Sequence, residues 1–240
     1  MNQNDDDSDT GHPTRMAGAF FGRRKAKPLK QSQKELTESL LPELLIDISV
    51  PAPASPTELF SGRAENCILE IGFGGGEHMA DCAKHNPQTG FIGCEPFVNG
   101  MAKALSAIDE NGLSNIRLYD EDAARLLDWL PDSCLERVYL LYPDPWPKKR
   151  HWKRRFVSEA NLARIHRVLQ PGGEFRFASD IDHYVNWTLR HILAHGGFEW
   201  LATASSDWKE PWEGWLSTRY EQKAIREGRT PAYLIFRKSD

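Results

Sequence analysis

Between residues 68 and 194 short apolar runs alternate with amphipathic segments, and this alternation leaves the chain few architectures to choose from. Runs at 68–71, 90–95, 116–119, 137–142 and 174–178 have strand length. Helical patterns open at Gly76, Val98 and Asp122 and cover 156–169 and 184–194. Strands that alternate with helices pair in parallel, because each crossover helix returns the chain to the same end of the sheet. The end of the chain differs. There 198–203 and 233–237 read as two strands joined by a long polar insertion carrying Trp208, Trp212 and Trp215. The predicted fold class is α/β, a doubly wound, mostly parallel seven-stranded sheet with an antiparallel last strand.

The flanking sequence fits one large domain and a tail within 240 residues. Residues 1–30 lack periodicity and are predicted to be disordered. In them Asp5, Asp6, Asp7 and Asp9 precede Phe20, Phe21 and a basic group of Arg23, Arg24, Lys25, Lys27 and Lys30. That pattern suits either a solvated leader or an arm that folds onto RNA. Ser32 and Glu35 have capping-box spacing, and Leu36, Leu40 and Leu44 follow at helical spacing until Pro42 interrupts. Residues 31–56 therefore read as a short helix and a proline-rich linker, and 57–240 as the main domain. Trp129, Trp187 and Trp200 are expected in its core.

A formal net charge of −4 argues against a generally basic nucleic-acid binder, so any such affinity must be local. Cys67, Cys82, Cys94 and Cys134 have no metal-type or paired spacing and read as reduced core thiols. No run reaches transmembrane length and the amino terminus has no secretory pattern, so the expected location is cytoplasmic, with no membrane partner. The composition is equally compatible with a monomer and a homodimer.

The first strand leaves into Glu70-Ile71-Gly72-Phe73-Gly74-Gly75-Gly76, where glycines let the backbone turn sharply and approach a ligand. A dinucleotide fingerprint needs glycine where this chain has Glu77, and a carboxylate at a helix start repels a pyrophosphate. A ligand without phosphates fits better, and S-adenosylmethionine brings a cationic sulfonium and an amino group to acids at Glu70 and Glu77. Glu95 ends the second strand, where it can accept from ribose hydroxyls. Asp122 follows the third, placed either to cap a helix or to accept from an adenine amino group. His191 and His195 share a helix face but have no third ligand at suitable spacing, so no metal is expected.

After the fourth strand comes Tyr142-Pro143-Asp144-Pro145-Trp146-Pro147, and then Lys148, Lys149, Arg150, His151, Trp152, Lys153, Arg154 and Arg155 without an acid among them. Prolines on both sides disfavour helix and hold Asp144 extended at a strand end, where open α/β sheets bind ligands. Aromatic rings among cations suit bases and phosphates together. A carboxylate in the cleft thus lies beside a phosphate-attracting surface.

These residues resemble the bacterial tRNA (guanine-N7)-methyltransferases of the TrmB type, Rossmann-like class I S-adenosylmethionine-dependent methyltransferases. The carriers are residues 69–76, Gly93-Cys94-Glu95-Pro96, the run from Pro143 to His151, and Thr218-Arg219-Tyr220-Glu221, of which the third is the most specific. The resemblance implies donor contacts from Glu70, Gly72, Gly74, Glu95, Asp122 and Asp144, with Asp144 at the position of the family's catalytic aspartate. It implies substrate contacts from Lys148, Asp180, Thr218, Arg219, Tyr220 and Glu221, the last gripping guanine N1 and N2. It also implies RNA contacts from Arg150, His151, Trp152, Lys153, Arg154 and Arg155, and a target at guanosine 46 in the tRNA variable loop. The acidic leader and Tyr142, where relatives often have phenylalanine, depart from the pattern. A small-molecule methyltransferase or a non-catalytic RNA-binding subunit would each explain part of the pattern. The first has no use for the cationic run and the second none for the acids at the strand ends.

Overall fold

The computed structural model describes residues 24 and 26–239, so most of the leader expected to be disordered lies outside the described residues. At the centre is β1 (Asn66–Ile71), in which every residue after Asn66 is buried. A strand with no solvent side has to be covered on both faces, and the neighbouring strands and helices do this. Beside it lie β2 (Thr89–Cys94), β3 (Ile116–Tyr119), β4 (Leu135–Leu141), β5 (Leu169–Ser179), β6 (Phe198–Trp200) and β7 (Ala232–Lys238). Their order is β3-β2-β1-β4-β5-β7-β6. β1 to β5 are parallel, and β7 runs antiparallel to both β5 and β6. The seven-stranded sheet with its antiparallel last strand is as the sequence predicts. β6 is shorter than expected, ending at Trp200, and the short helix α8 (Ser206–Lys209) follows it.

Strand alternation sorts the core into two layers, because successive side chains leave opposite faces. Ile68, Phe91 and Tyr139 pack with Met79 of α3 (Glu77–His85) and Leu105 of α4 (Val98–Asn111). Leu69, Ile92 and Val138 join the opposite layer, against α5 (Ala123–Trp129), α6 (Glu159–Val168) and α7 (Asp182–His195). Trp129 and Trp187 are half-buried against that layer. Trp200, expected in the core, is instead 38% exposed, since it ends an edge strand.

The amino-terminal segment seals the β3 edge. α1 (Gln31–Ser39) is capped by Lys30 rather than Ser32, with Gln33 accepting from the Lys30 amide at 3.3 Å; Ser32 lies inside the helix. Pro42 falls in the first turn of α2 (Leu41–Leu44), where its missing N–H has no partner to lose. Leu45 then bridges Leu118 of β3. Residues 26–30 are irregular, yet the Asn99 side chain accepts from the Ala26 amide and donates to the Lys27 carbonyl, tying them to α4.

The chain goes from β1 outward to β2 and β3, then returns to place β4 on the other side of β1. The carboxyl ends of β1 and β4 therefore diverge into loops on opposite faces and open a crevice. The loop after β1 is held in that crevice by a close approach: a Cβ on Gly100 of α4 would lie 2.2 Å from the Gly74 carbonyl oxygen. Main chain cannot give way as a flexible side chain can. Gly100→Ala is expected to destabilise the protein by about 1 to 3 kcal/mol by overpacking. Urea denaturation measures it, and an unchanged midpoint would show that loop and helix separate freely.

Candidate active site

Gly72 and Gly74 have φ of +71° and +61°, so both turn through a conformation that side chains disfavour. A Cβ on Gly72 would meet nothing within 4 Å, which leaves bare backbone facing open space. The Gly74 amide donates to Glu95 at 2.7 Å, and the Phe97 amide donates to the other Glu95 oxygen at 2.9 Å. Each carboxylate oxygen keeps a further lone pair for a hydroxyl donor. Burial raises the Glu95 pKa to about 7; the two amide bonds and Arg219 oppose that rise, and the charge of Asp144 adds to it.

Asp122 caps α5, accepting from the Ala124 amide at 2.9 Å, and it borders the same cavity. Its two alternative readings are thus compatible in geometry. Burial lifts its carboxyl above the ordinary range.

Asp144 lies between two residues in the left-handed region, Tyr142 at φ 49° and Trp146 at φ 42°. Both precede prolines, which ordinarily favours extended backbone, and bulky residues at positive φ are rare; each costs on the order of 1–3 kcal/mol. Two contacts hold the turn. The Tyr142 amide donates to the Ala178 carbonyl at 2.8 Å, and Arg155 Nε donates to the Pro145 carbonyl at 2.8 Å. Asp144 itself is exposed to the cavity, and desolvation by the walls raises its pKa.

The cavity has a volume of about 590 Å³ and gathers Gly72, Glu95, Asp122, Asp144, Trp146 and Tyr220. Lys153 and Arg154 are on its wall, with the Arg154 guanidinium 5.0 Å from the Trp146 ring centre. Lys148, Lys149 and Arg150 are exposed beyond it, and His151 meets Trp146 edge-on. Phe97 and Asn161 also line the cavity, and nothing in their spacing marks them in the sequence.

Four expected sites are placed otherwise. Arg155 is 3% exposed and enclosed by Trp152, Tyr184 and Trp187, with Nη1 3.0 Å from His183; it fastens the turn and does not reach phosphates. Trp152 packs inward on His183 and Trp187. Glu70 points to the α3 side, as its place in the strand alternation requires, and lies 2.7 Å from His78 Nδ1. Burial alone would lower the His78 pKa, but Glu70 overrides it and holds the ring well above the ordinary value. Glu221 is also buried. Its oxygens accept from Trp215 Nε1 at 3.0 and 2.9 Å and from the Tyr233 hydroxyl, so they are not presented to a guanine.

Of the other expected substrate contacts, Asp180 is paired with Arg229 at 2.5 Å, and Thr218 caps α9 (Arg219–Arg226), accepting from the Glu221 amide. Arg219 and Tyr220 reach the glycine loop: the nearest atoms to a Cβ on Gly74 would be Arg219 Nη2 and the Tyr220 ring, both at 3.3 Å. His191 donates to the Trp187 carbonyl, and His195 accepts from the Gly197 amide. Among the described residues no helix is long and apolar enough to cross a membrane.

Sheet order and glycine loop are those of the Rossmann-like class I methyltransferase fold. Residues 64–234 match the family model described as "Putative methyltransferase". The chain is 60% identical over 223 residues to the tRNA (guanine-N(7)-)-methyltransferase of Agrobacterium fabrum (strain C58), covering 93% of this chain and 96% of that one. The enzyme of the same name from Rhizobium johnstonii is 62% identical over 224 residues, with the same coverage. The chain belongs to the tRNA (guanine-N(7)-)-methyltransferase family. Its fold is also that of the crystal structure of the 16S rRNA methyltransferase KamB, with a TM-score of 0.58 at 18% identity over 80% of this chain and 95% of that one.

The raised pKa of Glu95 has a consequence for stability. The native state keeps a proton that the unfolded chain has lost, so this group's contribution is complete below the unfolded value of 4.5 and is lost as pH rises through about 7. Glu95→Gln should therefore gain stability relative to the parent between pH of about 5 and about 8, read as a difference in urea midpoints. Parallel pH profiles for the two proteins would contradict the assignment.

Proposed function

We propose that the protein transfers the methyl group of S-adenosylmethionine to N7 of a guanosine in tRNA, at position 46 of the variable loop. The observation that carries this reading is one cavity that joins bare glycine backbone, three carboxylates and a cationic rim. The names of relatives near 60% identity support it. The acids suit a cationic ligand without phosphates, and the rim suits an RNA backbone. Acting in bacterial tRNA modification, the protein would work in the cytoplasm.

When bound, the donor supplies an electrophilic methyl on sulfur. Glu95 would accept from its ribose, with Asp122 beside the base. Guanine N7 has an in-plane lone pair and no proton, so its attack needs no general base. The ring becomes cationic as the bond forms, and positioning plus negative charge is what the protein must provide. Asp144 would provide that charge, in a turn whose geometry is fixed before substrate arrives. Lys153, Arg154 and the exposed Lys148 to Arg150 would hold phosphates around a splayed loop, since N7 is hidden in the deep groove of an RNA helix.

Asp144→Asn keeps the shape and removes the charge. Single-turnover rates should fall by roughly tenfold or more, about 1.4 kcal/mol for each tenfold, while the donor still binds. A near-normal rate in the folded variant would free Asp144 of this role.

The identity of the nucleophile is tested on the RNA. A tRNA carrying 7-deazaguanine at the target keeps its pairing edge and backbone but has carbon and hydrogen in place of N7. Methyl transfer, followed with labelled donor and nucleoside mass spectrometry, should disappear while binding persists. Methylation of that substrate would place the accepting atom elsewhere.

A further inference from the structure

We infer that Arg219 binds the carboxylate at the amino-acid end of the methyl donor, so that its work lies on the donor side of the cavity rather than on the RNA. The inference rests on the donor assignment proposed above. The guanidinium lies against the glycine loop, with Nη2 3.3 Å from where a Gly74 Cβ would be. Its plane is set by stacking on Tyr220, 4.9 Å from the ring centre, and Nη2 donates to the Tyr220 hydroxyl at 3.2 Å. Arg219 Nε is buried and has no hydrogen-bond partner; the nearest acid, Glu77, is 3.9 Å away. Buried donors are ordinarily satisfied, so an oriented one against the glycine loop points to an acceptor on the ligand. A carboxylate suits it, because a guanidinium fork pairs with two oxygens at once.

Of the cations on the cavity wall, Arg164 holds both oxygens of Asp128 at 2.7 and 3.1 Å, Arg155 is enclosed, Arg154 stacks on Trp146 at the rim, and Lys153 is an exposed ammonium without the planar fork that pairs with two oxygens at once. The Gly74 amide donates to Glu95 while Arg219 lies against the same residue, so this one residue stands beside both the ribose acceptor and the guanidinium. Glu77 beside Arg219 completes a pair of opposite charges, which matches a zwitterionic amino-acid end with its ammonium towards the acid.

The test uses two ligands that differ only in the carboxylate, S-adenosylmethionine and decarboxylated S-adenosylmethionine, in calorimetric titrations of the full chain. The parent protein should bind the first roughly ten- to a hundredfold tighter, the range of charge-assisted hydrogen bonds. Arg219→Gln should lose that factor for S-adenosylmethionine, hardly change for the decarboxylated ligand, and keep its tRNA affinity in filter binding. Equal weakening of both ligands, or weaker tRNA binding with the discrimination intact, overturns the inference. If Arg219→Gln does not fold, Arg219→Lys carries the test: reduced discrimination supports the assignment, and unchanged discrimination overturns it. A parent protein that binds neither ligand removes the donor assignment itself.

Discussion

The hydrogen bond from Arg155 to the Pro145 carbonyl is the contact on which the site's geometry most depends. Burying a guanidinium is costly unless its charge finds partners. Here three aromatic rings lie within cation–π distance and His183 takes one N–H, which together offset the desolvation. The cation so fixed grips the carbonyl between Asp144 and Trp146. The left-handed residues that flank Asp144, Tyr142 and Trp146, would otherwise relax, and the strain persists because the surroundings over-determine it. Asp144 is consequently placed by a rigid turn and not by its own contacts.

The cavity's electrostatics follow from where the strands end. Glu95, Asp122 and Asp144 reach it from the ends of three different strands, and burial raises the pKa of each. Acids held so close, in surroundings drier than water, are more stable with positive charge among them. A cationic sulfonium and a purine that turns cationic both bring it. The same arrangement would repel a pyrophosphate.

Much of this was legible in the sequence because period and punctuation were strong. The alternation over 68–194 gave the parallel order, and glycines after β1 and acids after β2 and β3 marked the crevice. What the residues could not reveal was direction. Glu70 belongs to a conspicuous motif, yet one place in a strand decides whether a side chain faces the crevice or α3, and it faces α3. Arg155 and Glu221 stood in runs of exposed character, and only the tertiary packing of Trp152, Tyr184, Trp187, Trp215 and Tyr233 shows them enclosed. Tyr142 and Trp146 violate the preference of residues before proline, a local rule that the fold overrides at its most chemically demanding turn.

The enclosure of Glu221 explains how a distant segment arrives at the glycine loop. Trp208 still packs on the α5–α7 layer, and residues 212–218 then cross the α3 face of the sheet, where Trp212 and Trp215 pack against Tyr139, His78 and Tyr233. Trp215 donates to Glu221, which also takes the Tyr233 hydroxyl, so α9 is bolted to β7 at its first turn. His78, kept near Glu70 and against Trp215, ties the same bolt to α3 and to the strand that leads into the glycines. Thr218 to Glu221 therefore act as a unit of divided labour. The first and last residues cap and anchor, and their fixed positions bring Arg219 and Tyr220 over Gly74. A motif that reads in sequence as four equivalent contacts becomes, in three dimensions, two anchors that hold two groups over Gly74.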